Sequence, residues 1–339
     1  MKIVRALGVG LACLLPSMGC SIQALTGDTM IGYTTEHMVP FAMSEPDVDQ
    51  ACETGVSMGQ FLRSFQRVTD TPHRAAIITR LSAGICAEGA AWSAELRHLR
   101  AIHQKNVPEA QDARIEEQRH HRVAAIRYLG AWNASVAAFG EDKCPEFEED
   151  NDKSLFLLGL MAGAQAVTHD RATGGEAGVP LDIPPKVARR AECLNDDAWW
   201  GVPSALKAAV WTSVPGAAPE GADPWAALQK AVEKGEAKNV RLARAVQILA
   251  AVGAGKPDVV RKAIVDHAKA VKTAPDPKWQ LLDANATLVV QHTSDRLWTA
   301  AKGHRTPVGG LGTFWDEAGE TETDDGLFDD LEDEDAAEQ

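Results

Sequence analysis

Leu155-Phe156-Leu157-Leu158-Gly159-Leu160-Met161-Ala162-Gly163-Ala164-Gln165-Ala166-Val167 is the longest apolar run in the chain, and its length decides the fold class. As a helix it rises about 20 Å, well short of the roughly 30 Å of hydrocarbon in a bilayer. Asp152-Lys153 precede it and His169-Asp170-Arg171 follow it. A helix apolar on every side, with charges at both ends, belongs inside a protein core. Gly159 and Gly163 form G-x-x-x-G, which in a soluble helix lets a neighbour approach closely.

Helical signals extend outward in both directions. Towards the N-terminus, Ser44-Glu45-Pro46-Asp47 reads as a helix start, with a capping side chain, proline in the first turn and acids at the positive dipole end. Val48, Cys52, Val56, Gly59 and Leu62 then recur at three- and four-residue spacing. Asp70-Thr71-Pro72 breaks that helix, a second is expected over residues 73–104, and Val107-Pro108 opens a third that continues to about Phe139. Towards the C-terminus, a Gly- and Pro-rich connection at 173–185 leads to helices expected at 186–194, 203–213, 224–235, 240–252, 257–271 and 277–301. On one of these, Val260, Ile264, Ala268 and Val271 form an apolar stripe. No run alternates apolar and polar as a half-buried strand does. The expected fold is all-α, built of tetratricopeptide-like stacked helical hairpins as a solenoid or bundle. No strong 34-residue repeat overlays the chain, although residues 225–232 resemble the second helix of such a unit.

The first 19 residues read as a removable leader. Lys2 and Arg5 form its charged end, an apolar stretch from Ala6 to Leu15 follows, and Ser17-Met18-Gly19 leads into Cys20. Gly19-Cys20 resembles the junction of a bacterial lipoprotein signal, with Cys20 as the lipidated first residue, although Ser17 stands where such signals usually carry leucine. An ordinary signal peptide with an incidental cysteine is the alternative. Ser21 and Ile22 lack the aspartate that commonly signals inner-membrane retention, so a periplasm-facing outer-membrane anchor is expected. The division expected is a signal at 1–19, a helical body at 20–302 and an acidic disordered tail at 303–339.

The formal charge of −14 is a property of the tail. From Asp316 to Gln339 there are 13 acids and no base, leaving 35 acids against 34 basic residues elsewhere. The absence of a basic excess argues against a nucleic-acid partner. Within the tail, Leu327-Phe328-Asp329-Asp330-Leu331 sets apolar side chains among acids, a pattern able to fold onto a basic surface but also common in solvated ends.

Besides Cys20, the body holds Cys52, Cys86, Cys144 and Cys193, which allow three pairings. Cys144 with Cys193 is expected because both fall near helix ends, and Cys52 with Cys86 then ties the first two helices together. Buried free thiols are the alternative. No C-x-x-C spacing or HExxH pattern is present, so neither a metal nor another cofactor is expected.

Nothing in the sequence makes a convincing enzyme. Gly55-Val56-Ser57-Met58-Gly59 matches the G-x-S-x-G nucleophile pattern, but that motif needs a strand-to-helix turn and here lies inside a helical stripe. Gly253-Ala254-Gly255-Lys256 is followed by Pro257 and lacks the first glycine of a P-loop. Trp199, Trp200, Trp211 and Trp225 fall within 27 residues. Each joins a large apolar face to one donor, which suits core packing or an amphipathic cleft, and Trp199, Trp200 and Trp211 are the candidates for a ligand groove.

The layout resembles the T-component lipoproteins of TRAP transporters, the TatT family. The resemblance runs from Cys20 to about Ala301 and is carried by the lipidated start, the Ser44-Glu45-Pro46-Asp47 segment and the small-residue helix from Phe156 to Gly163. Trp199-Trp200-Gly201, the segment from Asp223 to Ala231 and the closing helix from Pro275 to Trp298 complete it. It implies a tetratricopeptide-like helical fold, a homotrimer, association with a periplasmic TRAP substrate-binding protein, and a cleft for a small hydrophobic ligand. The paired cysteines and acidic tail depart from the pattern. A helical-repeat scaffold for envelope proteins is the second class the sequence allows. Replacing Cys20→Ala is expected to move the protein from the membrane to the soluble fraction on cell fractionation; a protein that stays on the membrane rules out the tether.

Overall fold

A computed structural model describes residues 22–148 and 151–317. Among these residues there is no strand, and α-helices follow one another, joined by short turns or by loops such as 173–182 and 214–223. The order is α1 (Ile22–Tyr33), a π-helical turn (Thr34–Met38), α2 (Val39–Ser44), α3 (Val48–Ser64), α4 (His73–His103), α5 (Val107–Phe139) and α6 (Asp152–Ala172). The second half holds α7 (Ile183–Ala191), α8 (Val202–Ser213), α9 (Pro224–Glu236), α10 (Leu242–Gly253), α11 (Pro257–Ala270) and α12 (Gln280–Lys302). The protein is all-α. No helix among the described residues is long and apolar enough to cross a membrane.

The core is organised around α6. Leu155, Phe156, Leu157, Leu158, Leu160, Ala162, Ala166 and Val167 are all buried, and between the helix ends only the strip of Met161, Ala164, Gln165 and Thr168 is partly open. Helices α5, α4 and α7 surround it. G-x-x-x-G works as expected: a Cβ at Gly163 meets the Trp132 ring of α5 at 2.6 Å, and one at Gly159 overlaps the Ser135 side chain. The two long helices α4 and α5 form an antiparallel hairpin and α3 packs on α4. Sequential packing then continues from α7 to α12, with α8 against α10 and α10 against α12.

The far end closes on the start, because α12 returns to α4 and α2. The α4–α12 contact is partly polar. Glu95 accepts from His292 Nε2 at 3.0 Å and pairs with Arg296, while the Trp92 and His292 rings stack with centroids 4.3 Å apart. Burial pushes the Glu95 carboxyl up, but His292 and Arg296 outweigh it and hold it at about 2.

Both disulfides are present, Cys52–Cys86 joining α3 to α4 and Cys144–Cys193 joining the segment after α5 to the end of α7, each with Cα atoms 5.2 Å apart. By loop-closure entropy each contributes about 4 kcal/mol of stability.

Three local expectations change. Asp47, not Ser44, caps α3: its carboxylate accepts from the Gln50 amide at 2.8 Å, whereas Ser44 ends α2 and donates to the Phe41 carbonyl. Residues 22–44 are helical although the sequence reading began at Ser44. The apolar residues of α1 explain this, since Ile22, Leu25 and Tyr33 are exposed and only Gly27 of that helix is buried. Lastly, the ordered body continues past Lys302. Residues 303–317 fold back so that Phe314, 1% exposed, fills a small cluster with Ile248, Val260, Ile264 and Val290. The Arg261 guanidinium lies 4.0 Å from the Phe314 ring centre and pairs with Asp316. The rest of the acidic tail lies outside the described residues, as does Cys20.

The G-x-S-x-G segment lies within α3, with Ser57 exposed and its Oγ donating to the Glu53 carbonyl at 2.6 Å. Gly55 instead marks the α3–α4 crossing, where a Cβ meets the Ala83 amide nitrogen and Thr79 carbonyl oxygen at 2.8 Å each. Backbone atoms cannot step aside, so Gly55→Ala is expected to cost about 1–3 kcal/mol in urea unfolding, while Ser57→Ala changes stability by less than about 0.5 kcal/mol.

Candidate functional site

The turn between α7 and α8 is built to hold two indoles. The Asn195 side chain accepts from the Ala198 amide at 2.8 Å, the Asp196 carboxylate accepts from the Ser204 amide at 2.9 Å, and Lys234 of α9 anchors that carboxylate at 2.8 Å. Burial pushes Asp196 upward, but Lys234 and Ser204 hold it below the usual carboxylate range. Trp200 takes a left-handed conformation (φ 54°) and Gly201 follows with φ 75°. Glycine is required there, because a Cβ at 201 overlaps the backbone of Ala231.

A third indole arrives from the opposite end of the chain. Asp276 accepts from the Lys278 amide at 2.8 Å and its own amide donates to the Asn239 carbonyl at 3.1 Å, fixing the approach to α12. Trp279, at the N-cap of α12, then meets Trp200 with centroids 4.8 Å apart and Trp199 at 5.8 Å, while Trp199 and Trp200 stand 5.2 Å apart. All three pairs are edge-to-face, the arrangement the ring quadrupoles favour. Trp200 is buried, whereas Trp199 and Trp279 are half-buried and keep open faces.

These rings form one wall of a cleft of about 650 Å³. Its other wall is the segment after α5, including Pro145 and Phe147, with Asn151 and Lys153 at the head of α6. Phe147 is held by Phe156 of α6 at 5.5 Å. The Cys144–Cys193 disulfide ties the two walls together, and Cys193 itself lines the cleft. Among the described residues, the charged ones lining it are Lys153 and Lys278, both exposed. Each ammonium sits over an aromatic ring, Lys278 Nζ 4.8 Å from the Trp279 centre and Lys153 Nζ 5.9 Å from Phe147. The cleft therefore offers aromatic faces, the Asn151 and Asn195 amides, and two positive charges at its rim.

Of the expected groove residues, Trp199 and Trp200 lie in this cleft and Trp211 does not. Trp211 sits on α8 with the Lys207 ammonium 5.6 Å from its ring, because the helix turns it away from the Trp199–Trp200 turn. Trp225 packs between the main core and the Phe314 cluster. Trp279, Lys278, Phe147 and Lys153 were not foreseen as site residues. Trp279 was visible only as part of the closing helix, and no local pattern reports that positions 147, 199 and 279 meet.

A second polar cluster lies in the core between α4, α5 and α6. Buried Glu88 accepts from Tyr128 Oη at 2.7 Å, Gln165 Nε2 at 3.0 Å and His169 Nε2 at 3.0 Å, and His169 Nδ1 lies 2.7 Å from His121 Nδ1. Burial acts to raise Glu88, yet the His169 and Tyr128 contacts bring it below its ordinary value, and burial with the Glu88 charge drives Tyr128 well above its own. None of these residues lines the tryptophan cleft. Their arrangement satisfies buried polar groups across three helices. Among the described residues, no group of three or more His, Cys, Asp or Glu side chains is placed to hold a metal ion.

The cleft wall depends on its disulfide. Opening it with Cys144→Ser/Cys193→Ser is expected to red-shift tryptophan emission and increase its quenching by iodide, as Trp199 and Trp279 lose the Pro145–Phe147 wall. Unchanged quenching in a protein still folded by circular dichroism contradicts that role. Comparison with protein-family models, curated proteins and solved structures returns no match to this chain.

Proposed function

We propose that this protein is a non-catalytic binding module that captures a small, largely apolar molecule carrying an anionic group, at the surface of a bacterial membrane. The observation that carries the reading is the cleft between Trp199, Trp200, Trp279 and Phe147, whose charged lining among the described residues is Lys153 and Lys278. Aromatic walls supply apolar contact, and lysines at the rim complement a carboxylate, sulfonate or phosphate. About 650 Å³ falls within the range of small-molecule pockets.

In this reading Cys20 tethers the helical body on the periplasmic side, outer membrane rather than inner, and the bound molecule passes to or from a soluble partner. The sequence's resemblance in layout to TatT lipoproteins supports a TRAP-type substrate-binding protein as that partner and a homotrimer as the assembly. The all-α hairpin architecture is compatible with both.

Titration with 8-anilinonaphthalene-1-sulfonate, an aromatic body bearing one sulfonate, tests the cleft. Trp279→Ala is expected to abolish saturable fluorescence enhancement. Lys153→Gln/Lys278→Gln should weaken it about tenfold, since a charge-assisted contact is worth about 1.5 kcal/mol or more. Wild-type affinity in both variants, with melting temperatures unchanged, overturns the assignment.

A further inference from the structure

The tip of the α4–α5 hairpin carries a surface that the tryptophan cleft does not explain. Here Ile102, Val107 and Ile115 are 54%, 61% and 47% exposed, an unusual density of large apolar side chains for one helical turn-around. They line an open cleft of about 650 Å³ with His98, Lys105 and Arg114, and no carboxylate among the described residues lines it. Arg305 borders the adjoining cleft beside Arg97 and Arg100. Arg97 is paired with Glu109 and Glu116, and Arg114 with Glu117. Lys105 and Arg305 have no ion-pair partner among the described residues. The surface is apolar in the middle and positive at its edges.

The complementary chemistry is in the same chain. Residues 318–339 hold 11 acids and no base in 22 residues, with Leu327, Phe328 and Leu331 among them. The described body delivers this segment close to the hairpin. Trp315, two residues before Glu317, lies with its ring 5.6 Å from that of Trp298, and Trp298 lies 5.6 Å from the His304 ring. The carbonyl of Gly303 accepts from Arg100 Nε at 3.3 Å, less than one helical turn from Ile102. From Glu317 to Leu327 the chain can extend roughly 33 Å, comparable with that short line of contacts.

We propose that the acidic C-terminal segment docks on its own α4–α5 hairpin tip. Leu327, Phe328 and Leu331 occupy the Ile102–Val107–Ile115 cleft, and the flanking acids neutralise Lys105 and Arg305. Apolar contact sets the register and charge supplies the attraction, so the contact weakens as salt screens it.

Zero-length carbodiimide coupling, which joins an amine to a touching carboxylate, tests the contact on the full chain. At low ionic strength, mass spectrometry should find Lys105 coupled to carboxylates of residues 318–339 about fivefold more often than other exposed lysines. Both 0.5 M NaCl and the Leu327→Ala/Phe328→Ala variant should remove that excess, and the two substitutions lie outside the described body. Coupling spread evenly over the surface lysines, or persisting in the Leu327→Ala/Phe328→Ala variant, overturns the proposal. A mixture of ¹⁴N- and ¹⁵N-labelled protein should give coupling within one isotope only. Mixed-isotope products at the statistical ratio place the segment on a second copy and overturn docking in cis.

Discussion

Helix α6 needs cover over most of its surface, and the rest of the molecule is arranged to provide it. Between the helix ends, its buried leucines, Phe156 and Val167 leave only a narrow strip, at Met161, Ala164, Gln165 and Thr168, within reach of water. Gly159 and Gly163 let α5 come close enough to seat Ser135 and Trp132 against its backbone. Small-to-large changes at such crossings act on backbone separation and so are felt along the whole hairpin. Once α5 is fixed, its partner α4 and the closing helix α12 follow, and α7 covers the remaining side.

The ends of α6 carry the consequences to the cleft. At its start, Asp152 receives Arg74 Nε at 2.8 Å, which holds the approach from the Phe147 segment, and Lys153 stands beside it at the cleft rim. At its end, the Asp170 carboxylate accepts from the amides of Ala177 at 2.7 Å and Val179 at 2.9 Å, folding the Gly-rich loop that leads into α7. Helix α7 ends in the Cys193–Trp200 turn, and the Cys144–Cys193 bond returns that turn to the segment before α6. The cleft is thus framed by the start of the core helix and the turn after α7, and closed by the start of α12. Its aromatic wall joins positions 80 residues apart in Trp199 and Trp279.

Much of the helical order is legible in local chemistry. Pro108, Pro224 and Pro257 each sit in the first turn of their helix, and Asp223 caps α9 by accepting from the Trp225 and Ala226 amides. These signals act within one turn, so a single sequence reports them. Helix α1 was missed because its larger apolar side chains face outward, and periodicity reveals burial only when the apolar face is the buried one. Residues 303–317 were missed for a different reason. Phe314 fills a gap left by α10, α11 and α12, and a gap has no sequence of its own.

The sequence by itself determined the helical class, the helix boundaries marked by proline and capping residues, the concentration of negative charge in the last two dozen residues, and a cysteine set able to form two bridges. Only the tertiary structure decided which tryptophans share a cleft, that Trp211 stands apart from it, and that lysines from α6 and the approach to α12 meet at its rim. The physical reason is range. Caps, helix periods and proline breaks are set by neighbours within about four residues, whereas a cleft is the space left when packed helices bring distant residues together.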